Sequence, residues 1–248
     1  MKSVVSKALC AIAFSAAGFL PVAQAGTISG GSALLSPAQH GQLESWLGHG
    51  SVNLNNVFTL QPGMDSADFH AAADNLGETF SLMLVGNGTD QWLVGGYNPQ
   101  SWDSLEHWHE TPDDEDRVAF IFNLTNGSVF HQVPATYILP SQGAKQTWNS
   151  ALLGPAFGEG GDLWVTGDLQ NAYSWLATYG DPAMQGLSMI DGSVPAPLPS
   201  MMTLYAMEVF TISAVPEPAS ATLLVAGLLV VGAAMSRRRT RASNTAFV

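Results

Sequence analysis

The chain has 248 residues, 46 % of them hydrophobic, with a formal net charge of −12 and one cysteine. Eight basic residues against twenty acids exclude nucleic acid as a partner and disfavour an anionic lipid surface, since both need a basic face. A lone cysteine excludes a disulfide framework.

In chain order, Lys2 and Lys7 form a basic opening, residues 8–22 are apolar, and Ala23-Gln24-Ala25 is an A-x-A site. Together they describe a secretory signal peptide over 1–25, cut by signal peptidase between Ala25 and Gly26. Cys10 lies inside the apolar stretch rather than after it, which argues against a lipid anchor.

Two helices are predicted next. Ser36-Pro37-Ala38-Gln39 is a capping box with proline at the first helical position; Leu43, Trp46 and Leu47 then share a face, and Gly48 stops the helix. In the second, Asp65 caps, Met64 and Phe69 form a hydrophobic staple, Phe69, Ala72, Ala73 and Leu76 line one face, and Gly77 ends it. Strands follow at 79–85, 91–97, 118–124, 128–133, 162–166 and 203–212, all β-branched or aromatic runs bounded by turn residues. Gly86 to Asp90 and Asn126-Gly127 are hairpin signals. Residues 191–200, with Pro195, Pro197 and Pro199, read as an extended loop. The pattern predicts a mainly β (α+β) domain, a two-sheet antiparallel β-sandwich flanked by two helices.

A C-terminal transmembrane helix is predicted as well. Residues 219–236 carry no charge and as a helix extend roughly 27 Å, at about 1.5 Å per residue, against a hydrocarbon core of about 30 Å. Arg237, Arg238, Arg239 and Arg241 follow as a membrane stop and orient the body of the protein outward. Val215-Pro216-Glu217-Pro218 before this span, the span itself and the terminal arginines resemble the PEP-CTERM sorting signal. That resemblance implies processing near the motif by an exosortase, in a Gram-negative bacterium that makes exopolysaccharide. The expected division is signal peptide 1–25, domain 26–213, sorting signal 214–241 and cytoplasmic tail 242–248. The domain then keeps only Arg117 and Lys145 as cations against nearly all twenty acids.

Five passages in order, residues 66–85, 95–102, 116–126, 154–165 and 207–212, are similar to the TLDc domain from about Ser36 to Ser213. The resemblance implies a two-sheet β-sandwich with flanking helices and no agreed catalytic residues. Eukaryotic members are linked to protection against oxidative stress and, in some cases, to the vacuolar proton pump. The sequence departs from the family pattern at Ala73, where cysteine is usual, at Gly161, where histidine is usual, and at Ala206, where the final strand usually has its first glutamate, leaving Glu208.

The densest polar cluster is Glu106-His107-Trp108-His109-Glu110 followed by Asp113, Asp114, Glu115 and Asp116. Extended backbone puts His107 and His109 on one face, where Glu106 or Glu110 could join them on a divalent metal, and Asp113 and Asp114 could offer oxygen to calcium. The spacing fits no standard metal motif, so the run reads first as a solvated acidic loop, with calcium affinity no better than about millimolar. Glu159 with Asp162, or Glu208 with another acid, are the pairs that glycoside hydrolysis would need, and Glu208 is expected to point outward or meet Arg117 or Lys145. Ser101 lacks an indicated base, and His70 is expected to pack or cap. Trp102, Trp108, Trp148 and Trp175 could stack on sugar rings, whereas Trp46, Trp92 and Trp164 are expected in the core.

These features lead to an exported cell-surface or matrix protein, first held at the inner membrane. Its domain is expected to be a binding or structural module rather than an enzyme, with no cofactor and with exopolysaccharide as the candidate ligand. The alternatives are a secreted hydrolase of matrix polysaccharide and a weak calcium-binding surface protein.

Overall fold

The computed structural model describes residues 25–134, 143–159, 161–194 and 200–215, together with Gly227. Ala25–Val215 forms one compact unit. Of the expected signal peptide only Ala25, and of the expected sorting signal only Ala214, Val215 and Gly227, are described; their other residues, Arg237 to Arg239 among them, lie outside the described residues. Among the described residues no helix is long and apolar enough to cross a membrane. The predicted span at 219–236 lies outside them but for Gly227.

Among the described residues twelve strands form one hydrogen-bonded sheet. They are β1 (Ile28–Ser29), β2 (Val52–Thr59), β3 (Thr79–Gly86), β4 (Gln91–Asn98), β5 (His107–Glu110), β6 (Phe120–Asn123), β7 (Ser128–His131), β8 (Lys145–Asn149), β9 (Leu153–Phe157), β10 (Leu163–Thr166), β11 (Asn171–Ser174) and β12 (Ser200–Ala214). The main path is β5-β8-β9-β10-β11-β12-β3-β4-β6-β7, antiparallel throughout, while β2 pairs with β12 and, in parallel, with β1. Two separate sheets were expected, but β12 joins them. Its fifteen residues pair with β11 at their start, with β3 through the middle and with β2 at their end, with bulges after Leu204 and Val209.

The central strands are buried on both faces because apolar side chains occupy both sets of alternating positions. Phe80 and Leu82 of β3 join Tyr97, Phe120 and Phe122 in a cluster closed by Leu43 and Leu47, whereas Met83 and Val85 face a second cluster. That second cluster also holds Phe157, Leu163, Val165 and Ala172, so the inner face of β9 to β11 lies on the central strands. Gly96 of β4 makes the contact possible: a Cβ there would come within 2.5 Å of the Phe157 ring.

Helix α1 (Pro37–Leu47) has the expected capping box, with Gly48 left-handed at φ 73°. Helix α2 (Ser66–Ala73) is a turn shorter than predicted, and Leu76 is exposed instead of lining its face. Asp74 stops it: its carboxylate accepts from His70 and Ser104, and its backbone turns extended to bridge Trp102.

Candidate functional site

Strand β5 carries chemistry on both faces. It pairs with β8 so that His107 lies opposite Asn149, Trp108 opposite Trp148 and His109 opposite Thr147. The two-residue period of a strand therefore sends both histidines inward and Trp108 outward.

On the outer face the aromatic residues align across strands. The Trp108 and Trp148 ring centroids are 4.9 Å apart, as are those of Trp164 and Tyr173, whose planes lie within 30°. Between these pairs sits Ala156, opposite Trp164 in register, and its small side chain leaves a cleft of about 310 Å³ walled by Trp108, Trp148, Leu153 and Trp164. Glu159 borders the cleft and pairs with Lys145, whose ammonium lies 5.4 Å from the centroid of the Trp108 ring. The buried Trp164 indole N–H has no hydrogen-bond partner among the described residues. Two other grooves, about 460 Å³ beside Leu60 to Asp65 and about 510 Å³ beside Ser128 to Pro134, lack tryptophan.

On the inner face both imidazoles meet Asp103. Its Oδ2 is 2.9 Å from His107 Nε2 and 3.2 Å from His109 Nε2, and the two rings meet edge-on with centroids 4.9 Å apart. Asp103 Oδ1 accepts the Leu105 N–H, and His107 Nδ1 is 3.1 Å from the Trp108 carbonyl. Burial works to raise the Asp103 carboxyl, but the His107 hydrogen bond, the Leu105 N–H and the two imidazoles outweigh it and hold it below the ordinary aspartate value. Burial likewise holds the His109 imidazole below its ordinary value, against the pull of Asp103.

The other candidates disperse. Glu106 accepts from Ser150 Oγ and the Ala151 N–H, so neither it nor the exposed Glu110 completes the histidine cluster. Asp113 and Asp114 lie on a short exposed 3-10 turn, with Asp114 3.4 Å from Arg117. Glu208 does not point outward and meets neither cation; it is 2 % exposed and accepts from Ser32 Oγ and the Ala33 N–H. Arg117 is turned inward, donating to the carbonyls of Thr111, Pro112 and Val133. Asp162 is fully buried, and its Oδ1 accepts the N–H groups of Ala177, Thr178 and Tyr179. Ser101 Oγ accepts from Gly77, and His70 Nε2 meets the carbonyls of Ser150 and Leu153, pinning α2 to the β8–β9 turn.

Two tryptophan assignments reverse. Trp102, a candidate for stacking on sugar, is 1 % exposed, its rings against Phe69 and Phe157 and its N–H on Thr79 Oγ1. Trp164, expected in the core, belongs to the outer cleft. Asp103 was missed altogether because it stands apart from the acidic run. The one available signal was its i,i+4 spacing to His107.

The described residues define a mainly β domain, one twelve-stranded sheet, antiparallel but for the β1–β2 pair, folded over its own core with two helices against it. Residues 28–213 match the TLDc domain, and the chain belongs to that family. No curated protein matches the chain.

Proposed function

We propose that this is an exported TLDc protein of the bacterial cell surface or exopolysaccharide matrix, delivered by the signal peptide and sorted by an exosortase at Val215 to Pro218. In this reading residues 219–236 hold it at the inner membrane before processing, and the exported domain is a non-enzymatic module that binds saccharide. The aromatic stripe carries the reading. Apolar ring faces set side by side across strands, with a few polar groups at the rim, suit the C–H faces of pyranose rings, and the cleft at Ala156 matches a small concave site. Support for export comes from the compact unit Ala25–Val215, whose ends coincide with the two expected processing points. A binding role is favoured over hydrolysis because Asp162 and Glu208 are both spent on internal hydrogen bonds and Glu159 is paired with Lys145.

A glycan array that includes the host's own exopolysaccharide tests the binding. Saturable binding is expected, weakened at least about tenfold, or about 1.4 kcal/mol, by Trp148→Ala or Trp164→Ala. Trp175→Ala, at an exposed tryptophan outside the cleft, should leave it unchanged. Sugar turnover abolished by replacing a single carboxylate would instead make the domain a hydrolase.

A further inference from the structure

We propose that Asp103, His107 and His109 form a binding site for a divalent transition-metal ion, with zinc the best fit. The three side chains offer one carboxylate oxygen and two imidazole nitrogens, all within 4.8 Å of one another. A tetrahedral zinc with ligand distances of about 2.0 to 2.2 Å holds neighbouring donors about 3.3 Å apart. The two N···O separations here, 2.9 and 3.2 Å, need open by only a few tenths of an ångström to admit the ion.

The donors are also aimed. Strand geometry fixes His107 and His109 on one face of β5, whose other face is anchored by the Trp108 and Trp148 rings. The Leu105 N–H holds the Asp103 carboxylate by Oδ1, with both oxygens toward His107 Nε2, at 3.1 and 2.9 Å, and Oδ2 also 3.2 Å from His109 Nε2. With the ion bound, His107 would donate Nδ1–H to the Trp108 carbonyl and turn an Nε2 lone pair to the metal, in place of the Nε2–H that meets Asp103 in the free protein, the arrangement usual for metal-bound histidine. Two nitrogens and one oxygen suit zinc, copper or nickel; calcium and magnesium prefer an all-oxygen shell. The His107 side chain is 42 % exposed, which gives the ion a way in and leaves a fourth position for water. Nothing in this site draws on the saccharide cleft, which lies on the opposite face of the same strand.

Calorimetric titration of the tag-free full chain with zinc sulfate at neutral pH tests the site. One ion per chain is expected, with affinity about micromolar and a raised melting temperature. His107→Ala, His109→Ala and Asp103→Asn should each weaken binding at least about tenfold, whereas His49→Ala, at an exposed histidine elsewhere, should not. Because its ring is half in solvent, His107→Ala should melt near the wild-type temperature without metal, which separates lost ligation from lost folding. Absence of saturable zinc binding, its persistence in a His107→Ala/His109→Ala double variant, or equal competition by calcium would each overturn the assignment.

Discussion

A carboxylate with no exposure must be held by something, and Asp162 shows how this chain does it. Three consecutive backbone N–H groups converge on Oδ1, while Oδ2 is buried with no hydrogen-bond partner among the described residues. Gly158 is what lets the backbone pass: at φ 77°, a Cβ there would fall 2.0 Å from Asp162 Oδ2. Desolvation by burial pushes the carboxyl up to about 7 from 3.8, against the pull of those N–H groups. A folded value above the unfolded one means that the folded state binds the extra proton. The stabilising effect is therefore complete below about pH 3.8 and is lost as pH rises through about 7. His109 and His131, held below their ordinary value by burial, act with the opposite sign near and below 6.5, so the comparison must be made against a variant. Asp162→Asn keeps the shape and cannot titrate. The melting-temperature advantage of wild type over Asp162→Asn should shrink steadily between about pH 4 and 7. An advantage that is constant or grows across that range would show that the carboxylate is ionised in the fold and stabilised by its three donors.

Whole elements were legible where pattern and packing agree. Helix α1 was readable from its capping box, and β3 and β4 from β-branched and aromatic runs joined by a turn bearing glycine and asparagine, because local chemistry and burial demand the same thing. Strand β2 was not predicted: Asn53, Asn55 and Asn56 dilute its apolar pattern, although Val52, Leu54 and Phe58 are the buried positions. Two of its asparagines are satisfied by partners distant in sequence that no periodicity reveals: Asn53 accepts from Thr27, and Asn56 bonds the Gly31 carbonyl. Strand β5 was hidden for a different reason. His-Trp-His-Glu has the composition of a solvated turn, and only pairing with β8 makes it a strand whose two faces differ. The same pairing explains what was legible of the candidate sites. That His107 and His109 share a face follows from strand geometry alone, but Asp103 joins them through a loop, and the stripe depends both on the exact registers of the successive β8 to β11 hairpins and on the sequence-distant pairing of Trp108 with Trp148. Trp164 was assigned inward because it lies in a periodic strand segment, yet alternation puts its neighbours Leu163 and Val165 in the core and Trp164 outside.

At the scale of the molecule, charge governs what the domain can meet, and the proposed processing sets which charges stay with it. If both terminal segments are removed, mass spectrometry of the mature protein should find a start at Gly26 and no peptide containing Arg237 to Arg241. Recovery of those arginines from the bulk of the protein would make the tail a plain anchor. Residues 26–213 are strongly acidic, with two cations, both already engaged: Arg117 on internal carbonyls and Lys145 on Glu159 and over Trp108. No cation is therefore available beside the cleft to neutralise an anionic ligand, and Glu159 and Glu110 flank Lys145 there. A uronate-rich polysaccharide would approach against the field of the whole surface, which extends over a Debye length of about 10 Å at 0.1 M salt and about 30 Å at 0.01 M. A neutral saccharide would meet only the ring faces. Affinity for neutral glycans should therefore be nearly independent of ionic strength, while affinity for uronate-bearing ones should be weaker and should rise as salt is increased from about 0.01 to 0.1 M. Titrating a matched pair of neutral and acidic oligosaccharides at both ionic strengths decides the matter. Tighter binding of the acidic member at low salt would show that the ligand docks away from the stripe, or that a bound cation has reversed the local field.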